Sequence, residues 1–185
     1  MKDEKSTWKF HRYVVGPNSK GKSAVLVQEA TNVIRTTGAH KVHRADLWCT
    51  AEMPVDNTIP GDRALDSTTR EPKPNGTVFR ALELQPNAES TEELIAEMKR
   101  FHEMVGQKHM PTEEDYKRHF TMHRTDSVDY ITCVIGEVWL MTDVDEVLMR
   151  PGDSVVVTGV NHAWVNRSDK PCLLVGAMID AKPRD

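Results

Sequence analysis

Residues 122–130 read M-H-R-T-D-S-V-D-Y. His123, Thr125 and Asp129 recur at even spacing, and on a strand even spacing puts side chains on one face of a sheet. An imidazole, a hydroxyl and a carboxylate on one face make half of a site. Such a face can hold a metal, hold a substrate, or fill a core. Tyr130 has the opposite parity and is expected to face away.

Working outward, the chain after Phe120 reads as strands to its end. VDYITCVIG, EVWLMTD, EVLMRPGD, SVVVTG, HAWVN and CLLVGAMID alternate with Gly, Asp and Pro breaks. Many short strands at regular spacing predict a sandwich or barrel. Upstream, 10–15 and 23–28 predict two strands about the turn GPNSKGK, and 45–50 predicts another. The Pro-, Asp-, Thr- and Gly-rich run from Pro54 to Gly76 predicts a long loop. Residues 77–86, TVFRALELQP, predict a strand with Val78, Arg80, Leu82 and Leu84 on one face. Ser90 to Glu93 has the form of a capping box, and Leu94, Met98, Phe101 and Val105 follow as one apolar helical stripe. Thr112 to Asp115 predicts the cap of a second, shorter helix. Residues 88–120 thus form a two-helix insertion between strands. No internal repeat interrupts this order.

The chain has 185 residues, 38% hydrophobic and 28% charged, enough for one domain with a substantial core. A net charge of -4 favours neither nucleic acid nor an anionic membrane. No apolar run approaches the roughly 20 residues needed to span a bilayer, and the N-terminal stretch lacks the apolar segment of a signal peptide. Cys49, Cys133 and Cys172 form no metal-like pair and are odd in number, so reduced, buried thiols and a cytoplasmic protein are expected.

The tail resembles the cupin superfamily, small antiparallel jelly-roll barrels. Its first motif is a His-x-His followed by Glu and Gly, and His123, Thr125, Asp129 and Gly136 fall on that frame. Its second ends in a His followed by Asn, and Gly152, His162 and Asn166 fall on that one, in PGDSVVVTGVNHAWVN. The resemblance is to single-domain cupins of the cupin-2 type. It covers residues 122–180, fits the strands of 10–84 more loosely, and leaves out 88–120. It implies an all-β antiparallel jelly-roll barrel, 1–185 as a single domain, and a homodimer. This sequence departs at Thr125, where metal cupins carry a ligand histidine, and at Asp129, where they carry the longer Glu.

On that frame His123, Asp129 and His162 would make a 2-His-1-carboxylate set for Fe, Mn, Ni or Zn, leaving positions open for substrate. No organic cofactor is expected. The same three residues are the candidate catalytic groups. Arg80, Thr125 and Trp164 are the candidate substrate contacts. Arg80 is the odd residue on an apolar face, and a buried guanidinium needs an anion. That anion is either a substrate carboxylate or a structural partner such as Asp129 or a glutamate. Trp164 either walls the pocket beside His162 or fills the barrel. His40 and His43 would pair as ligands only if helical, and His102, His109 and His119 are expected at the surface or on a lid. Three functions remain open: a metal-assisted lyase, isomerase or dioxygenase on a small carboxylate- or carbonyl-bearing substrate; a metal-free acid–base dehydratase or isomerase; and a small-ligand-binding module without catalysis.

Overall fold

Alternating apolar and polar residues bounded by turn formers become strands throughout the computed structural model. It describes residues 8–9, 11–30, 33–35, 42–66, 70–87, 89–104 and 107–184. The strands are β1 (His11–Pro17), β2 (Ser23–Ala30), β3 (Val33–Arg35), β4 (Val42–Thr50), β5 (Thr77–Leu84), β6 (Ser127–Ile135), β7 (Val138–Thr142), β8 (Glu146–Met149), β9 (Ser154–Thr158), β10 (His162–Val165) and β11 (Cys172–Asp180). Two helices, α1 (Glu92–Met104) and α2 (Glu113–Arg118), lie between β5 and β6. A six-stranded sheet of order β3-β4-β5-β11-β6-β9 faces a three-stranded sheet of order β10-β7-β8, and β1 pairs with β2 as a separate hairpin. Every pairing is antiparallel. The all-β antiparallel architecture with a two-helix insertion is therefore present as expected.

One apolar cluster joins the two sheets. Val42, Leu84, Ile131, Cys133, Val157 and Leu174 from the larger meet Val138, Leu140, Met149 and Trp164 from the smaller. Burying these side chains drives the sheets together, at roughly 25 cal/mol per Å² of apolar surface removed from water. Gly136, which ends β6, has φ +75°, and a side chain there would meet the Pro171 carbonyl oxygen at 2.8 Å. Only glycine takes that turn without strain.

The insertion builds a small core of its own. Met98, Tyr116 and Phe120 pack together, with Leu94, Ile95 and Phe101 against them. The stripe of α1 therefore meets α2 and the segment after it; Val105 lies outside the described residues. Thr112 caps α2 with a full capping box, its hydroxyl accepting from the Asp115 N–H while Asp115 accepts from the Thr112 N–H. The loop 54–76 holds a short 3-10 turn, Arg63–Asp66, fastened by a two-pronged Arg63–Glu52 pair at 2.7 and 2.8 Å. Arg12 grips Asp62 in the same loop.

Two histidines of the insertion differ from expectation. His102 and His119 are buried, not at the surface. His102 shares a hydrogen bond with the Tyr116 hydroxyl at 3.0 Å, and His119 Nδ1 meets the Thr121 hydroxyl at 2.8 Å. The cause for His102 is local: it stands four residues after Met98, on the same helical face.

Candidate active site

The barrel interior is divided along its strands. One end is filled by the apolar cluster. The other carries the polar side chains of the same strand faces: Arg44 and Asp46 on β4, Arg80 on β5, Ser127 and Asp129 on β6, and His162 on β10.

His123 and His162 are brought together by backbone pairing. Each donates its N–H to the other's carbonyl, at 3.0 and 2.9 Å. Residues directly opposite in such a pair project to the same side. Their ring centroids stand 4.4 Å apart, tilted by 51°. Each ring is also locked by its own strand. His123 Nδ1–H donates to the Thr121 carbonyl at 2.9 Å and His162 Nδ1–H to the Val160 carbonyl at 2.9 Å. The tautomer is thereby set, and both Nε2 lone pairs remain free of any hydrogen bond among the described residues. Burial pushes the His162 imidazole down to about 4, and burial, Arg70 and His162 push His123 well below its ordinary range. Both rings are neutral at pH 7. Trp164 stands edge-on to His162 at 5.8 Å and is also part of the apolar cluster, so its body fills the barrel beneath the histidine.

Asp129 shares the face of His123 but is engaged elsewhere. Its Oδ1 accepts from the Ser127 hydroxyl at 2.6 Å, and Ser127 in turn contacts the Thr125 hydroxyl at 2.9 Å. Burial raises the Asp129 carboxyl, opposed by the Ser127 bond and by Arg80 and Arg70. Among the described residues, no three His, Cys, Asp or Glu side chains gather where one ion would touch them all. A catalytic metal normally has three protein ligands, so the donor set here supplies only the two imidazoles. Thr125 occupies the place of a third and is committed to Ser127. The residues present do not fit a three-ligand metal centre.

Arg80 is buried at 4% exposure, and its anionic partner is Asp46, not Asp129 or a glutamate. Asp46 and Arg80 are directly opposed across β4 and β5, and Arg80 Nε donates to Asp46 Oδ1 at 3.0 Å. Arg80 Nη1 donates to the Arg70 carbonyl at 2.8 Å and touches the Met178 sulfur at 3.4 Å. Gly176 is the register partner of Arg80 on β11. A Cβ there would lie 2.3 Å from the Tyr130 carbonyl oxygen, so β11 can approach β6 this closely only with glycine. Tyr130 itself faces outward, as its parity requires.

Sequence reasoning missed Arg70, which lies in the Pro-rich loop where no periodicity marks a face. Its guanidinium donates to the Gln107 side chain at 3.1 Å, and its charge lowers the basicity of His123, His162 and His102. Gln107 follows α1 and donates to the Arg124 carbonyl at 2.7 Å. His109, half-buried, joins Asp126 at 2.7 Å and accepts from Arg124 at 3.0 Å. The end of the insertion is thus tied across residues 124–126, beside the histidines. His43 is buried on β4, a strand and not a helix, and His40 lies outside the described residues.

No family model matches the chain. Two proteins of Diaporthe leptostromiformis, phomopsin biosynthesis cluster proteins C' and D, are each 28% identical to it over 153 residues, covering 79% of this chain and 64% of theirs. A cupin-domain-containing oxidoreductase of Aspergillus ruber, fogC, is 24% identical over 167 residues, covering 84% of this chain and 63% of its own. The chain therefore spans a little under two thirds of the length of these curated relatives. Among solved structures, a cupin 2 conserved barrel domain protein from Rhodopseudomonas palustris overlays with a TM-score of 0.47 at 11% identity, covering 85% of this chain and 77% of that one.

Proposed function

We propose that the chain carries a cupin-type domain and is a small-molecule enzyme whose His123–His162 pair moves a proton on an oxygen-rich organic substrate. The observation that carries this reading is the matched anchoring of the two rings. Both Nδ1–H groups are fixed on backbone carbonyls, and both Nε2 lone pairs are left for a reacting atom. A positioned neutral imidazole is a general base. It removes a proton from carbon beside a carbonyl, and the bonding pair passes to the carbonyl oxygen as an enolate. Returning the proton to another carbon isomerises the substrate. Alternatively the enolate pair returns to form a C=C bond as the β-C–O bond breaks, and the ring that took the α-proton gives it to the departing hydroxyl, so that water leaves and the substrate is dehydrated. The names of the relatives, two from a biosynthetic cluster and one an oxidoreductase, support an enzymatic role.

The test needs no known substrate. The protein is incubated in D2O with a panel of enolisable ketones and keto acids, and loss of the α-proton is followed by NMR. Exchange is expected with the wild type, to fall by about 10²–10⁴ in His162→Ala, and to persist after chelation and dialysis. Exchange that survives both His162→Ala and His123→Ala refutes the base assignment. Exchange lost on chelation and restored by one divalent ion favours a second reading, in which the same two Nε2 atoms ligate that ion. The Nδ1 anchoring also suits such a role, because ligating histidines commonly donate their other N–H to a carbonyl.

A further inference from the structure

The polar end of the barrel leaves buried guanidinium donors without an acceptor. Asp46 is shared by two guanidiniums, Arg80 Nε at 3.0 Å on Oδ1 and Arg44 Nη2 at 3.2 Å on Oδ2. A third, Arg70, is pushed down to about 10 by burial and by the charge of Arg80. Arg70 donates to the neutral Gln107 side chain, and no carboxylate within ion-pair distance of it is found among the described residues. Its sequence neighbour Glu71 is within 3.4 Å of Lys108. Asp129, the next carboxylate toward the histidines, takes its hydrogen bond from Ser127. Two donors are left buried without an acceptor, Arg80 Nη2 and Arg44 Nε. A buried N–H of a charged group left unbonded costs about 1–3 kcal/mol or more. Native interiors seldom retain that cost unless a water, an ion or a ligand removes it.

We propose that Arg70 and Arg80 seat a carboxylate of the substrate, so that the molecule worked on by the histidine pair is a small organic acid. Arg80 is held by Asp46 and the Arg70 carbonyl so that Nη2 is left over. Arg70 supplies the second donor. Planar guanidinium forks match a planar carboxylate with paired hydrogen bonds. Arg70 is tied through Gln107 to the carbonyl of Arg124, the residue next to His123, which places the seat on the histidine side of the polar end. Arg44 completes the electrostatic field through Asp46. Turnover of the bound acid rests on the proton-transfer reading of the histidine pair; the binding itself does not.

The experiment is calorimetric titration of the whole chain with matched probes: propionate, malonate and benzoate against propionamide, malonamide and benzamide, with inorganic phosphate as a separate arm. At least one acid is expected to bind saturably at one site and its amide not to. Arg70→Gln is expected to weaken that acid by about tenfold to a hundredfold, the loss of one charge-assisted contact. No ion-pair partner of Arg70 is found among the described residues, so this variant should melt no lower than the wild type without ligand. Arg80→Lys, which keeps the charge on Asp46 and removes the fork, should weaken binding in the same direction. His162→Ala should bind the acid within about threefold of wild type, which separates the two readings. If it binds the acid but no variant alters proton exchange, the carboxylate seat stands and the base assignment falls. The seat is overturned if amides bind as well as acids, if no acid binds, or if Arg70→Gln binds unchanged. Phosphate binding at the same site more tightly than every acid would overturn the assignment to a carboxylate.

Discussion

Acidification should unfold this protein early, and the buried histidines set how early. His102, His119 and His162 are each pushed down to about 4 from an ordinary value near 6.5, chiefly by burial. The unfolded chain takes up these protons near 6.5, whereas the native chain resists until about 4. Between those values the unfolded state binds more protons, so stability falls as pH falls. The contribution is complete above the unfolded value and is lost on the way down to the folded one. At pH 5 each such imidazole removes about 2 kcal/mol, and three remove about 6 kcal/mol. That is comparable to the whole stability of an ordinary domain, about 5–15 kcal/mol. Glu52, Asp62, Asp126 and Glu146 are lowered and act in the same direction. Asp129 is raised and opposes them as a single group. The assay is urea unfolding between pH 7.5 and 5, with His102→Gln alongside, since Gln retains an acceptor for the Tyr116 hydroxyl. The wild type should lose several kcal/mol over that range, and His102→Gln should lose about 2 kcal/mol less. Stability that stays flat from pH 7.5 to 5, or an unchanged slope in His102→Gln, would refute the argument.

The packing makes three further outcomes testable. Asp46→Ala strands Arg80 and Arg44 in the interior, which should cost about 3–5 kcal/mol and lower the melting temperature by roughly 6–20 °C; an unchanged melt would mean another group answers their charge. Cys49, Cys133 and Cys172 are all buried, and burial pushes each thiol up. The native chain should therefore react negligibly with a colorimetric disulfide reagent at pH 8, and all its thiols should react once urea unfolds it. Thr125→His should raise affinity for Zn²⁺ by at least about tenfold, read by calorimetry; no gain would show that position 125 does not face the space between the two histidines.

Strands such as β6 were legible because one side is buried, and burial on one side writes a period of two into the sequence. The histidine pair was legible for a different reason: the two motif halves carry it, and a backbone ladder fixes it. Asp46 was missed because its role depends on the register of β4 against β5, a contact between residues far apart in the chain. A signal existed. In VHRADLWCT, Arg44 and Asp46 share the parity of Val42, so two charges sit on a face that Val42 turns inward. With Arg80 already marked as a charge on an inward face, a carboxylate of matching parity on a neighbouring strand was the partner to seek. Arg70 had no such signal. Its position comes from a loop whose path is set by tertiary contacts, and loops carry no period to read.

Thr125 determines which kind of site this barrel can be. A histidine there would leave the Asp129 carboxylate to its neighbours; a threonine instead extends a hydroxyl chain through Ser127 to Asp129. That chain gives the buried carboxylate a donor without a cation. The two imidazoles are neutral for the same physical reason, burial, reinforced at His123 and His162 by the Arg70 charge. The arginines are the exception, because a guanidinium remains charged even when burial brings it down to about 10. Arg80 and Arg44 share Asp46, yet Arg80 Nη2 and Arg44 Nε stay buried without an acceptor, and the proposed complement of these donors is an anion. Such an anion would bring its own acceptors and should offset the charge of Arg70 at the histidines. If the proposed acid binds there, the imidazoles should become stronger bases with it in place, seen as faster α-proton exchange in a keto acid than in its amide.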